Sequence, residues 1–207
     1  MRKTINCFIP YEENTAIDKV VTALKDSIVV NKIYLLTTAH GSMPSVPAGC
    51  EPFTIDSLNS SDTIKKIAQK ADTPFTLLYT KASPFELGYM ALERIADFLQ
   101  DRKTGMVYAD HYEWKEGEKK KHPAIDYQPG SVRDDFDFGA LLAFRSEYLI
   151  GAAGMMENER EDYRYAGLYA TRLCGLSTQR HTHLAVGGFR VLAPKPYLHV
   201  SMYTAFH

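Results

Sequence analysis

Residues 4–36 read TINCFIPYEENTAIDKVVTALKDSIVVNKIYLL, and this stretch decides the fold. Thr4 to Ile9 is a short apolar run ended by Pro10, the pattern of a buried strand. Asn14 can cap a helix whose apolar residues Ile17, Val20, Val21 and Leu24 are spaced i, i+3, i+4, i+7 and share one face. Lys32 to Leu36 is the next strand, and Phe53 to Ile55 a third, beyond a loop rich in Gly, Pro and Ser from His40 to Gly49. A second helix, capped by Ser61 or Asp62, repeats the apolar spacing at Ile64, Ile67, Ala68 and Ala71, and Phe75 to Tyr79 is a fourth strand. Ser83-Pro84-Phe85-Glu86 is a capping box with proline at the first helical position. It predicts a third helix running through Leu87, Ala91, Ile95, Phe98 and Leu99 and stopping before Gly105. Met106 to Ala109 is a fifth strand, ending on Asp110.

Strand–helix steps in this succession predict an α/β fold with a mostly parallel sheet and crossover helices. Such sheets bind ligands beyond the carboxyl ends of their strands. The segments to inspect are therefore Pro10 to Glu13, Thr37 to His40, Asp56 to Ser61, Thr80 to Ser83 and Asp110 to Glu113.

Length and composition set the bounds. A chain of 207 residues, 45% hydrophobic and 24% charged, suits one globular α/β domain, or one with a small annex. A formal net charge of -1 argues against a nucleic-acid partner, which favours a basic surplus. Cys7, Cys50 and Cys174 are far apart and odd in number, so they fit neither a zinc spacing nor a disulfide framework. Cys7 and Cys174 lie in apolar runs and read as small core residues. A reducing cytoplasmic setting is the expectation. The apolar run after Met1-Arg2-Lys3 stops at Pro10, too soon for a signal peptide, and no stretch approaches the roughly 18 apolar residues of a membrane span. The chain ends at Tyr203-Thr204-Ala205-Phe206-His207 without a stop signal, which leaves a truncated C-terminus open.

The second half reads differently. Trp114 to His122 is charged, with a Gly-centred turn, and predicts a solvated hairpin or loop. Asp126 to Gly139 is polar with aromatics and too irregular for a regular element. Leu141 to Arg145 is a candidate strand. Tyr163 to Cys174 is helical in pattern, with Tyr165, Leu168, Tyr169 and Leu173 on one face.

Several residue groups could carry chemistry. Glu161-Asp162 opens the helical stretch from 163, where the helix dipole and free N–H groups keep a carboxylate ionised. There Asp162 could accept a proton from a sugar hydroxyl, or simply cap the helix. Asp110 ends a sheet strand, and is either a metal or ribose contact or a turn residue. Asp135, Phe136, Asp137 and Phe138 could line an acceptor pocket, with either ring stacking on a sugar face. Asp134-Asp135 as a displaced metal motif is the weaker alternative. His181 and His183, spaced i, i+2, point to opposite sides of a strand and fit surface positions better than a metal site. Glu12 and Glu13, after the first strand, could contact a nucleotide or act as first-turn acids.

The stretch from Leu141 to Gly175 resembles the acceptor half of family 2 glycosyltransferases. It offers Leu141-Leu142-Ala143-Phe144-Arg145, then Gly151 and Gly154, then Glu161-Asp162, then Arg172-Leu173 and Gly175, in the family's order. The front half resembles the family's nucleotide-binding half: a strand ending in Pro10-Tyr11, then strand–helix steps. The resemblance spans roughly residues 4 to 180. It implies a GT-A-like single domain over 1–207, with a nucleotide-sugar-binding half (1–113) and an acceptor-binding half (114–207). It further implies a nucleoside-diphosphate-sugar donor, a saccharide or lipid-linked acceptor, Mg²⁺ or Mn²⁺, and a base from the acidic pair, Asp162 with Glu161 beside it. Pro10, Tyr11, Glu12, Lys81 and Asp110 are the donor-side candidates. Polysaccharide or glycan synthesis with inversion, and peripheral membrane association, belong to the same expectation.

Two family motifs are altered. Where the second strand normally runs into an acidic turn, the sequence has Thr37-Thr38-Ala39-His40-Gly41-Ser42. Where an Asp-x-Asp motif normally holds metal and diphosphate, it has Thr80-Lys81-Ala82-Ser83. A hard divalent ion needs oxygen donors of negative charge, which this tetrapeptide lacks. Lys81 could meet the diphosphate as a point charge in the metal's place, or be a solvated lysine. These losses motivate the alternative of a non-catalytic saccharide-binding or interaction module. A nucleotidyltransferase of similar topology would want a Gly- and Arg-rich loop after the first strand, and Pro10-Tyr11-Glu12-Glu13 is not one.

Overall fold

The computed structural model describes residues 3–12, 16–38, 45–58, 60–101, 104–115, 118–122, 138–155 and 190–192. In chain order these form β1 (Ile5–Pro10), α1 (Asp18–Asp26), β2 (Val30–Thr38), β3 (Glu51–Ile55), α2 (Ser61–Gln69), β4 (Phe75–Tyr79), α3 (Ala91–Gln100), β5 (Thr104–Val107), β6 (His111–Lys115), β7 (Glu118–His122), β8 (Leu141–Arg145), α4 (Ser146–Met155) and β9 (Arg190–Leu192).

The main sheet has seven strands in the order β3-β2-β1-β4-β8-β5-β9. All its neighbours pair parallel except β8, which runs against both β4 and β5. The expected mostly parallel α/β sheet is therefore present, with one reversed strand set into its middle. β6 and β7 form a separate antiparallel hairpin, so the charged segment from 114 to 122 is the hairpin its composition suggested.

Strand alternation builds two cores. Ile5, Cys7 and Ile9 of β1, Leu77 and Tyr79 of β4, and Leu141 and Ala143 of β8 face one side, where Val20, Val21 and Leu24 of α1 and Leu92, Ile95 and Leu99 of α3 cover them. Phe8, Leu78, Leu142 and Phe144 face the other side, under Ile64 and Ile67 of α2 and Leu149 and Ala153 of α4. With helices on both faces, β1 and β4 must be apolar throughout, as their uniform burial shows. Each such large side chain contributes about 1.5–3 kcal/mol when fully buried. Cys7 is a core residue, as its apolar context suggested, and burial drives its thiol far above the ordinary range. Cys174 lies outside the described residues.

Three local expectations are corrected. The second helix is capped by Ser60, not Ser61 or Asp62: the Ser60 hydroxyl accepts the Asp62 N–H at 3.1 Å. The first helix starts at Asp18, with Ile17 at its cap and no side-chain cap bond, and Asn14 lies outside the described residues. The largest miss is the capping box at Ser83. Residues 83–88 are not helical, and α3 begins only at Ala91. Tertiary contacts outweigh the local signal: the Ser83 hydroxyl bonds the Tyr79 phenol at 3.0 Å, and the Phe85 ring packs on Tyr79 at 4.3 Å. Met90 then enters the helix in the left-handed region, at φ 50°.

The ends at which the parallel strands begin are bound by polar side chains. Asn6, with 0% exposure, donates to the Lys70 carbonyl at 3.1 Å and to Asp72 at 2.6 Å, and accepts from Asn31 at 3.0 Å. The Thr76 and Ser146 hydroxyls bond at 2.8 Å, joining β4 to the start of α4. Arg145, the last residue of β8, donates to the carbonyls of Leu99, Asp101 and Thr104, closing the end of α3 over the sheet.

Candidate active site

The opposite ends of the strands are where a ligand would enter. β1 and β4 are adjacent and parallel, and the chain leaves β1 toward β2 on one side while β4 lies on the other. A reversal of strand order is where open α/β sheets seat a ligand, which here points to a crevice between the loops that follow β1 and β4. Of the donor-side candidates, Pro10 is buried as the last residue of β1, paired with Leu36, so it shapes the crevice floor from within the sheet. Tyr11 follows, half-buried; its N–H donates to Leu36 O at 2.8 Å and its hydroxyl to Ser45 O at 3.1 Å. It thereby ties the loop after β2 to the end of β1. Glu12 is exposed.

Thr80 and Lys81 leave the end of β4. The Thr80 N–H and hydroxyl both reach Ala140 O, at 2.9 and 3.2 Å, so the position expected for a metal motif is fastened to the entry of β8. Lys81 is half-buried beside it. Beyond β5 come Tyr108, Ala109 and the half-buried Asp110. Gly139, just before β8, has φ +81°, and a Cβ there would lie 3.2 Å from Nδ1 of His111. The glycine lets the entry of β8 pass close under this imidazole, which is only 3% exposed. Tyr11, Glu12, Lys81 and Asp110 therefore follow strands that all finish at one end of the sheet.

Beside the crevice an open-sided groove of about 460 Å³ runs between Lys19 and Val20 of α1 and Pro84, Phe85 and Glu86 of the loop after β4. Sequence reasoning missed it, because a helix at 83–88 would have withdrawn Phe85 from that position. Cys50 lies on the loop beside α1, where burial raises its thiol pKa and Lys25 acts the other way.

Other expectations fall differently. Phe138 is 1% exposed and meets Tyr108 edge to face at 5.1 Å. Its ring is a core element and does not present a face for sugar stacking. Asp135, Phe136, Asp137, Glu161, Asp162, His181 and His183 lie outside the described residues. The described residues do not fit a divalent cation held by a carboxylate pair. Thr80-Lys81-Ala82 supplies none, and no group of three acidic, His or Cys side chains with metal-ligand placement occurs among the described residues. Among the same residues no helix is long and apolar enough to cross a membrane.

By sequence, no protein-family model and no curated protein matches the chain. Solved structures do match its fold. Glucosyl-3-phosphoglycerate synthase from Mycobacterium tuberculosis in complex with uridine diphosphate aligns over 99% of this chain and 72% of its own, at 9% identity and TM-score 0.50. The same synthase with Mn²⁺, UDP-glucose and phosphoglyceric acid aligns over 92% and 88%, at 10% identity and TM-score 0.46. CMP:2-keto-3-deoxy-manno-octonic acid synthetase complexed with CTP aligns over 97% and 90%, at 10% identity and TM-score 0.48. At such identities the likeness is one of architecture, carried by the first of the three: the chain has a GT-A-like α/β fold.

Proposed function

We propose that the chain transfers a sugar from a nucleoside-diphosphate sugar to a hydroxyl acceptor, with the donor seated in the crevice between β1 and β4. The observation that carries this reading is the β3-β2-β1-β4 parallel order completed by the reversed β8, supported by a likeness in fold to a synthase solved in complex with uridine diphosphate. Residues 1–113 form the donor half and 114–207 the acceptor half. Tyr11 and Glu12 border the nucleotide, and Asp110 takes a ribose or phosphate-side contact. The reaction belongs to polysaccharide or glycan assembly.

In the reaction the acceptor oxygen attacks the anomeric carbon while the bond from that carbon to the diphosphate oxygen breaks, which inverts the configuration. Asp162 receives the acceptor's proton, and Glu161 lies next to it at the start of the helix predicted there. Charge growing on the leaving diphosphate needs a fixed positive partner. Lys81 occupies the motif position where carboxylates would otherwise hold a metal, and it supplies that charge directly. Mn²⁺ or Mg²⁺ is then unnecessary at Thr80–Ala82.

The test is thermal melting with UDP, GDP and their sugars, with and without Mn²⁺. A ligand that binds only the native state raises the melting temperature. A shift with one nucleotide family, independent of Mn²⁺, is expected. Asp162→Asn should keep that shift and lower turnover at least about 100-fold, the scale of one general base. Retained turnover would remove Asp162 from this role. No shift with any donor would favour the non-catalytic module, for which the missing carboxylates at Thr80–Ala82 are the argument.

A further inference from the structure

Residues 83–90 carry a local code that the chain does not follow. Ser83, Pro84 and Glu86 are the parts of a capping box with proline at the first helical position. Leu87 stands four residues before Ala91 and eight before Ile95, both buried on α3, and Phe85 stands seven before Leu92. The apolar face of α3 therefore continues backward in register to Phe85. The structure takes an irregular path instead, and that path has two visible costs. Met90 stands at φ 50°, a region that side chains other than glycine rarely adopt. Tyr89 and Met90 are 89% and 49% exposed, two large side chains left in water. Against these costs, the path gains the bond between the Ser83 hydroxyl and the Tyr79 phenol, and it buries Phe85 against the Tyr79 ring. It also sets Pro84, Phe85 and Glu86 along the groove opposite Lys19 and Val20.

One side-chain bond and one ring contact are small terms, of the same order as a helix cap and a relieved left-handed residue. Neither arrangement excludes the other, and strain of this kind gathers at functional sites. We propose that residues 83–90 switch between the irregular path and a two-turn extension of α3 that starts at Pro84 under a Ser83 cap. In the extension Met90 returns to the right-handed region, and the Ser83 hydroxyl leaves the Tyr79 phenol to accept the Glu86 N–H. Phe85 moves with its backbone away from Tyr79, so the groove as lined here exists only in the irregular form. Ser83 lies two residues beyond Lys81 at the end of β4, so the switch gates the groove at its border with the crevice. The inference does not depend on which reaction the crevice performs.

NMR relaxation dispersion on the full chain tests it, because it detects exchange with forms populated at about 0.1–10%. Exchange at residues 83–90 is expected, with minor-form Cα shifts displaced in the helical direction. Gly88→Ala raises helix preference at a position whose φ is not positive, and should enlarge the helical population about fivefold. Met90→Gly frees the left-handed residue and weakens a helix, and should shrink that population at least about fivefold. Amide spectra unchanged outside the segment would show that both variants fold, and the wild-type measurement decides without them. Flat dispersion over 83–90 in the wild-type chain and in Gly88→Ala would overturn the proposal. So would a minor form with non-helical Cα shifts, or populations that move in the same direction in both variants.

Discussion

The two ends of the main sheet use polar residues differently. Where the parallel strands begin, polar side chains bond to one another and to stranded carbonyls: Asn6 with Lys70, Asp72 and Asn31, Thr76 with Ser146, and Arg145 with three carbonyls of the α3–β5 turn. Where the strands finish, Tyr11 and Thr80 spend their bonds on fastening loops, while Glu12 stays exposed and Lys81 and Asp110 half-buried. The first arrangement fixes the architecture. The second holds charge at a surface, at some cost in stability, where a charged ligand can use it.

Substitutions should separate the two ends. The largest effect is expected for Asn6→Ala, which removes a fully buried amide and its bonds to the Lys70 carbonyl, Asp72 and Asn31. Urea unfolding should show a loss of about 3 kcal/mol; a loss below 1 would mean that this end is not the structural one. Gly139→Ala probes the crevice end where it is structural too. A non-glycine residue at φ +81° whose Cβ meets the His111 ring should cost about 1–2 kcal/mol in the same assay. Lys81→Ala should change stability by less than about 0.5 kcal/mol. It should weaken nucleoside-diphosphate binding about tenfold by calorimetry, the size of one lost charge-assisted contact. The smallest effect is expected for Thr104→Val: among the described residues the buried Thr104 hydroxyl has no hydrogen-bond partner, so its removal should leave stability unchanged or raise it by up to about 1 kcal/mol.

The same contrast governs what could be read in advance. Apolar runs located β4 and β8 to the residue, because both are short runs buried on both faces. The helical faces of α1 and α2 followed from spacing alone. The direction of β8 did not, since a run of four apolar residues carries no orientation. Its pairing with β4, 62 to 70 positions away along the chain, is settled only by the assembled sheet. The capping box at Ser83 misled because its proline and glutamate describe a local preference, whereas Tyr79 draws Ser83 and Phe85 into a different arrangement. Within the site, strand ends pointed to Tyr11, Glu12, Lys81 and Asp110. Phe138 went wrong because an aromatic beside acids reads as exposed until Tyr108 is seen against it. The role proposed for Asp162 rests on the family resemblance and on its expected place at a helix start, not on strand geometry.

The reversed strand has a consequence for synthesis. β8 separates β4 from β5, so a nascent chain cannot complete its sheet when β5 emerges from the ribosome. Until residues 141–145 follow, β4 is an apolar strand with one flank unsatisfied, the form of surface that recruits other chains. The molecule must therefore pass through an adhesive stage set by the order in which its strands are made, and chaperone demand should peak while the hairpin and the segment after it are being translated.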